Sequence, residues 1–353
     1  MMGSGYPFLR KTKSVHIDKN DAVSDNPRMK RILLLGIENC LHSSVTGFYD
    51  ILTVANRMAV ASAGVPLFDP VIVTPDGQPV TCFNGLVLTP QRALEKSGPT
   101  DLLYLPVIYG ELEPMLENQR LIEDLFRLFE QKTVMTAVCA GVFLLARTGA
   151  LDRRQATTHW NLVREFRALF PRVCLKPEKM LVDEGDIITA GGVTAYMDLA
   201  LYLIGRFGSR ELAALVSKSL LIDPVRTTQA PYTGLLPTPR HGDPAVLKLQ
   251  EWMQDHFSEP LTLTQMAVRA ELEPRTLARR FKKSTGDTPL EYLQRLRLAS
   301  ARTLLETSPL SVDQITWEVG YQDVSSFRRL FKQRTGLSPT AYRKRFGMGE
   351  MPP

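Results

Sequence analysis

The chain is poor in cysteine, with four (Cys40, Cys82, Cys139, Cys174) among 353 residues. That excludes a disulfide framework, and no CxxC or Cys/His spacing suggests a zinc site. Neither a metal nor a cofactor is expected. Long apolar runs are missing as well; none approaches the roughly 18–20 residues that cross a bilayer. The opening segment, MMGSGYPFLRKTKSVHIDKND, lacks the apolar centre of a secretory signal. The expectation is a cytoplasmic protein that does not enter a membrane. Hydrophobic residues at 44% and charged residues at 23% exclude general disorder, a collagen-like repeat and a coiled-coil rod. At roughly 100–200 residues per domain, the length suggests two domains, or three.

What is present is unevenly placed. Residues 240–347 carry 18 Lys and Arg against 12 Asp and Glu, and the rest of the chain carries 25 of each. One segment therefore holds the whole excess of +6. A neutral domain joined to a basic one fits a polyanion-binding module with a partner domain.

Residues 1–29 are polar and aperiodic and read as a flexible tail. Strand-like and helix-like segments then alternate. The apolar run Arg31–Ile37 predicts a strand buried on both faces. A helix over Phe48–Ala63, a strand over Phe68–Thr74, a strand over Asp101–Pro106 and a helix over Leu116–Gln131 follow. Thr133–Val138 predicts a strand running straight into Cys139-Ala140-Gly141 and a helix to Thr148. Asp186–Ala190 predicts a late strand, with a helix from about Thr194 to Phe207. Such alternation implies an α/β domain over 30–222, with a parallel sheet covered on both faces. Residues 223–243 are proline-rich and read as a linker. From 244 to 347 every segment is helical in pattern.

That helical part repeats itself. Arg279, Phe281, Lys282, Thr285, Gly286, Pro289 and Tyr292 recur 50 residues later as Arg329, Phe331, Lys332, Thr335, Gly336, Pro339 and Tyr342. Upstream, Leu263–Ala267 aligns with Val312–Thr316 at a spacing of 49, so the second copy has one extra residue in its turn. Each copy reads as a short helix, a tight turn and a second amphipathic helix. In the second copy Gly320 is the expected stop and Asp323 the expected N-cap. Leu277, Phe281, Phe327 and Phe331 are the expected core positions. Arg and Lys elsewhere on the second helices suit phosphate neutralisation, and Arg also suits bidentate contact with guanine. A helical bundle with a merely solvated basic face is the blander alternative.

Residues 244–347 resemble the AraC/XylS family of bacterial transcription regulators. The resemblance rests on Trp317-Glu318-Val319-Gly320-Tyr321-Gln322-Asp323 and the helix through Lys332, followed by Gly336, Pro339 and Tyr342-Arg343. It implies two helix-turn-helix units joined by a long helix, Pro289 to about Thr307, on one face of promoter DNA. By position Arg275, Thr276, Ala278, Arg279, Lys282 and Lys283 would meet DNA in the first unit. Val324, Ser325, Arg328, Arg329 and Lys332 would do so in the second. Ala278 and Val324 offer no side-chain hydrogen bond and would only touch a thymine methyl or leave space.

The strand–Cys–helix junction at Cys139 has its own chemistry. A nucleophile on such a turn is exposed at the carboxyl edge of a sheet, beside backbone N–H groups at a helix start. A buried cysteine that begins a helix is the alternative. Residues 31–215 resemble the PfpI-like branch of the class I glutamine amidotransferase-like superfamily. The carrying motifs are Ala137–Ala146, Ala156-Thr157-Thr158-His159-Trp160 and Ile188–Ala200. The last two are typical of GlxA-like regulators, in which this domain is fused to an AraC-type one. The resemblance implies a flavodoxin-like sandwich that senses a small metabolite, of the nitrogen-containing kind to which relatives respond, and forms a homodimer, with RNA polymerase as a further partner.

Departures from catalytic relatives matter. Ala140 stands where a His often follows the nucleophile, Ser44 where an acidic partner sits, and Val107-Ile108 where a Gly-Gly pair supplies an oxyanion donor. Without base and acid the thiol loses the activation that covalent catalysis needs. Cys139 is then a vestigial nucleophile, and Ser44, Val107, Cys139, Ala140 and His159 are candidate ligand-binding residues. The competing readings are a Cys139-dependent hydrolase or amidase with an accessory DNA-binding domain, and a redox sensor using Cys139 sulfenate.

Overall fold

The computed structural model describes residues 29–223, 226–233 and 241–347. The expected tail, Met29 apart, and the rest of the linker lie outside these residues.

In the first domain the elements run β1 (Lys30–Leu35), α1 (His42–Ala63), β2 (Phe68–Thr74), β3 (Val80–Thr81), β4 (Val87–Leu88), β5 (Arg92–Ala93) and β6 (Leu102–Leu105). They continue with α2 (Glu113–Leu116), α3 (Gln119–Glu130), β7 (Val134–Val138), α4 (Gly141–Arg147), β8 (Gln155–Ala156), α5 (Val163–Leu169) and β9 (Cys174–Leu175). Strands β10 (Leu181–Asp183) and β11 (Ile187–Ala190) and helices α6 (Ala195–Phe207) and α7 (Arg210–Ser219) complete it. The main sheet has the order β10-β11-β7-β6-β1-β2-β5. All its pairings are parallel except β10 with β11. The chain leaves β1 for β2 on one side and returns to β6 on the other. The carboxyl ends of β1 and β6 thus form the switch point where open α/β sheets bind ligands. Ile32–Leu35 and Leu102–Leu105 are buried throughout, as expected of strands covered on both faces.

The predicted strands agree with those observed to within two residues at either end. Two helices differ more. α1 begins at His42, six residues before the expected start. Its first turn is polar in sequence, but the Ser44 hydroxyl bonds back to the Leu41 carbonyl and Thr46 to that of His42. The expected Leu116–Gln131 helix is divided. Asn118 caps a new start by accepting the Leu121 N–H at 3.1 Å, and α2 ends before it.

The second domain is helical: α8 (Pro244–His256), α9 (Leu263–Arg269), α10 (Pro274–Thr285), α11 (Pro289–Thr307), α12 (Val312–Glu318), α13 (Val324–Thr335) and α14 (Pro339–Phe346). Two separate apolar cores, one around Phe281 and one around Phe331, mark two units joined by α11. The sequence repeat is a structural repeat down to single hydrogen bonds. Thr262 with Gln265, and Ser311 with Gln314, form reciprocal capping boxes on α9 and α12. Gly286 and Gly336 end α10 and α13 in the left-handed region. The Thr285 and Thr335 hydroxyls each bond the carbonyl four residues back and the one two residues on. The extra residue falls in the second turn. Gly320, at φ 85°, takes the left-handed position there, and Glu271, at φ 55°, takes it in the first.

Candidate functional site

Cys139 sits at the end of β7, one position from α4, at φ 57°. A left-handed β-carbon costs about 1–2 kcal/mol, so neighbours must impose it. They do so from three sides. The Cys139 N–H donates to the Ala190 carbonyl at 3.0 Å. The Thr158 hydroxyl donates to the Cys139 carbonyl at 2.6 Å. Gly141 lets the elbow approach the β6 terminus; a Cβ there would lie 2.4 Å from the Pro106 carbonyl oxygen.

The thiol itself is buried. Cys139 is 5% exposed, and burial pushes its pKa up to about 12, with only the Ala140 N–H opposing. A reactive cysteine needs the reverse. His159 lies next to Thr158 in sequence, but its Nδ1 accepts the Asn161 N–H at 3.1 Å and its ring lies against Trp160. Burial lowers its pKa. The Ser44 hydroxyl accepts the Val107 N–H at 3.2 Å, tying the two sides of the switch point together. Ser44, Val107, Cys139 and Ala140 are all buried at the carboxyl edge, and His159 is half-buried at its margin.

Three residues escaped the sequence reading. Glu38 follows β1, where an acid would be sought, but its carboxylate accepts the Thr81 N–H and is no influence on Cys139. Tyr104 is fully buried on β6, and its hydroxyl finds no hydrogen-bond partner among the described residues. Thr158 belongs to the Ala156–Trp160 motif, yet nothing in its spacing shows that its hydroxyl holds the elbow.

In the second domain the two second helices, α10 and α13, present their cations outward. Arg275, Arg279, Lys282 and Lys283 on α10 are exposed, as are Ser325, Arg328, Arg329 and Lys332 on α13. Thr276, Ala278 and Val324 are partly exposed beside them. Leu277, Phe281, Phe327 and Phe331 are 0% exposed and anchor the opposite faces. Asp323 caps α13 by accepting the Ser325 and Ser326 N–H groups, which have no partner within the helix itself. Two residues behave differently from a free cationic row. Arg328 donates to Asp313 at 2.8 Å across an exposed ion pair. Arg280 turns away and clamps Asp243, the N-cap of α8, through two hydrogen bonds of 2.6 and 2.9 Å.

Among the described residues no helix is long and apolar enough to cross a membrane. The family description "DJ-1/PfpI family" matches residues 39–206, and "Helix-turn-helix domain" matches residues 266–345. The HTH-type transcriptional regulator CdhR of Pseudomonas aeruginosa is 31% identical over 302 residues, covering 84% of this chain and 87% of that protein. The HTH-type transcriptional regulator GlxA of Rhizobium meliloti is 30% identical over 328 residues, covering 92% and 99%. A solved structure from Vibrio parahaemolyticus, described as that of a candidate transcriptional regulator, superposes with a TM-score of 0.50 at 21% identity. It covers 55% of this chain and all of its own, and shows the fold of the first domain. A DJ-1/PfpI-type α/β domain followed by paired helix-turn-helix units is thus shared along nearly whole chains, and this protein belongs to the GlxA-like family of HTH-type transcriptional regulators.

Proposed function

We propose that the protein binds promoter DNA through α10 and α13 and that its DJ-1/PfpI domain senses a small metabolite without transforming it. The observation that carries this reading is the contrast between the two domains. One presents two matched cationic helices to solvent. The other buries its elbow thiol, and that burial raises its pKa to about 12. A covalent nucleophile needs a base or a lowered pKa, and the raised value supports a thiol that does not serve as one. A homodimer acting in the cytoplasm with RNA polymerase completes the reading, and rests on the resemblance to the family.

The test is DNA binding by the full chain at fixed salt, with its own promoter region against a random duplex. Preference of about a thousandfold or more is expected of a specific regulator. Equal affinity for both would refute the reading. Thermal unfolding of the full chain against a metabolite panel, repeated with Cys139→Ala, tests the sensor. A reversible shift retained in the variant supports sensing. Consumption of the compound, abolished by the substitution, would establish a hydrolase instead.

A further inference from the structure

Residues 226–233 were expected to be linker, yet they are among the most heavily bonded stretches of the chain. On one side they enter the first domain. The Gln229 side chain is 1% exposed, and its Nε2 lies within hydrogen-bonding distance of the Thr157 hydroxyl and the Thr158, Pro177 and Lys179 carbonyls, at 2.9–3.2 Å. Gly191 makes the room: a Cβ there would sit 2.1 Å from that nitrogen. Thr228 bridges Lys179 in antiparallel fashion, and Arg226 pairs with the half-buried Asp198 at 2.5 Å.

On the other side the same segment holds the second helix-turn-helix unit. Arg302 of α11 is 7% exposed and donates to the Ala230 carbonyl at 2.9 Å and to the Thr233 carbonyl. Its charge meets no carboxylate in an ion pair among the described residues; carbonyls and the Tyr342 ring, 5.4 Å away, take that place. The Tyr232 hydroxyl accepts Arg345 at 2.7 Å, and its ring stands edge-on to Phe346.

We infer that residues 226–233 form a clasp between the elbow and the second helix-turn-helix unit, and that the state of the elbow sets whether it stays closed. This rests on the sensor reading given above for its purpose, though not for its existence. The connection is short. The Thr158 hydroxyl holds the Cys139 carbonyl, and the Thr158 carbonyl takes the Gln229 amide. The next residue in the clasp, Ala230, holds Arg302. The closed state is also left incomplete. Gln229 Oε1 and Arg302 Nε are buried without hydrogen-bond partners among the described residues. Each such orphan offsets part of what the other hydrogen bonds contribute. A cleft of about 370 Å³ remains between Tyr232, Arg302, Glu306 and Tyr342. Opening would restore water to a guanidinium that is now buried, with Glu306 acting on it only through space. The clasp therefore has a second state within reach, as a switch element requires.

Amide hydrogen exchange of the full-length protein, without DNA or any metabolite, tests the clasp. In the unmodified chain the amides of Gln229 and Met180, which donate to Glu178 and Thr227, are expected to be protected. Arg302→Gln, made in the other domain, should speed exchange of 226–233 by about tenfold or more. Gln229→Ala should loosen the Arg302 turn of α11 in return. Thr158→Val, which cuts the elbow from the clasp, should speed exchange at 226–233 while leaving the sheet protected. Should Arg302→Gln unfold its domain, Tyr232→Phe, which removes only the hydroxyl that Arg345 uses, is the milder variant. Fast exchange of 226–233 in the unmodified chain, or no cross-domain effect from any folded variant, overturns the clasp. The exchange is then repeated with each compound of the metabolite panel; a protected, coupled clasp whose exchange none of them alters would leave the clasp standing and count against the sensor reading alone.

Discussion

Cys139 shows how one residue type takes opposite meanings from its surroundings. Its backbone has the strained turn of a nucleophile, but its side chain has the environment of a core thiol. Alkylation therefore separates the two. Cys174 is exposed and should react with iodoacetamide at neutral pH, whereas Cys139 should lag far behind it. The sign of the pH effect follows from a folded value near 12 against an ordinary 9.0. The protonated thiol is favoured in the fold, so its contribution to stability is full below pH 9 and is lost as pH rises toward 12. Mass spectrometry of labelled peptides from pH 7 to 10 checks this; Cys139 labelling as fast as Cys174 at pH 7 would contradict it. The DNA-facing residues call for different tests at the same scale. Arg279→Ala and Arg329→Ala should each cost roughly 1–3 kcal/mol on a specific site and relax base preference there. Equal losses on specific and random duplexes would show that these arginines meet phosphate only.

At the scale of elements, the repeat was legible because it is written in residues with local jobs. Thr–Gly–x–x–Pro ends one helix and begins the next wherever it occurs, and Phe281 and Phe331 mark the buried faces. The sheet was legible because Leu33 and Leu103 lie in short apolar runs between turn residues. The polar first turn of α1 was not, since Ser44 and Thr46 satisfy backbone carbonyls that a sequence pattern reads as solvated. Gln229 was invisible for a related reason: a glutamine in a polar, proline-punctuated stretch looks exposed until the missing side chain of Gly191 is seen beside it. Two glycines let the element-scale account be tested. Gly286 and Gly320 both have φ 85°, but a Cβ on Gly286 meets nothing within 4 Å, and one on Gly320 lies 2.4 Å from the Ser258 carbonyl oxygen. Gly286→Ala should cost only the left-handed penalty of about 1–2 kcal/mol. Gly320→Ala should cost clearly more, since two backbones must part. Urea unfolding followed by circular dichroism distinguishes them, and equal losses would show that the Ser258 contact yields freely.

At the scale of the whole molecule, charge divides the labour. Residues 30–222 carry 19 Lys and Arg against 20 Asp and Glu, so salt-dependent attraction to a polyanion is expected from residues 240–347. The exposed cations on α10 and α13 include Arg275, Arg279, Lys282 and Lys283 in one unit and Arg328, Arg329 and Lys332 in the other. Each phosphate neutralised contributes about 0.9 to the slope of log K against log salt. A chain using both helices on one duplex should therefore show a slope steeper than about 4 per protomer. The four on α10 alone would give about 3.6 and the three on α13 alone about 2.7, against about 6.3 for both. Lys283→Ala should lower the slope by about 0.9 and weaken specific and random duplexes alike, because a phosphate contact carries no sequence information. Arg329→Ala should instead lower the ratio between the two duplexes. Arg328 adds a further term, since its pair with Asp313 must open before it can serve DNA. Asp313→Asn should then tighten binding to any duplex and steepen the slope, by removing both the competitor and a negative charge beside the phosphates. Fluorescence anisotropy titrations from 50 to 300 mM salt would read all three variants, and an Asp313→Asn variant that binds more weakly than the unmodified chain would place Arg328 outside the DNA interface.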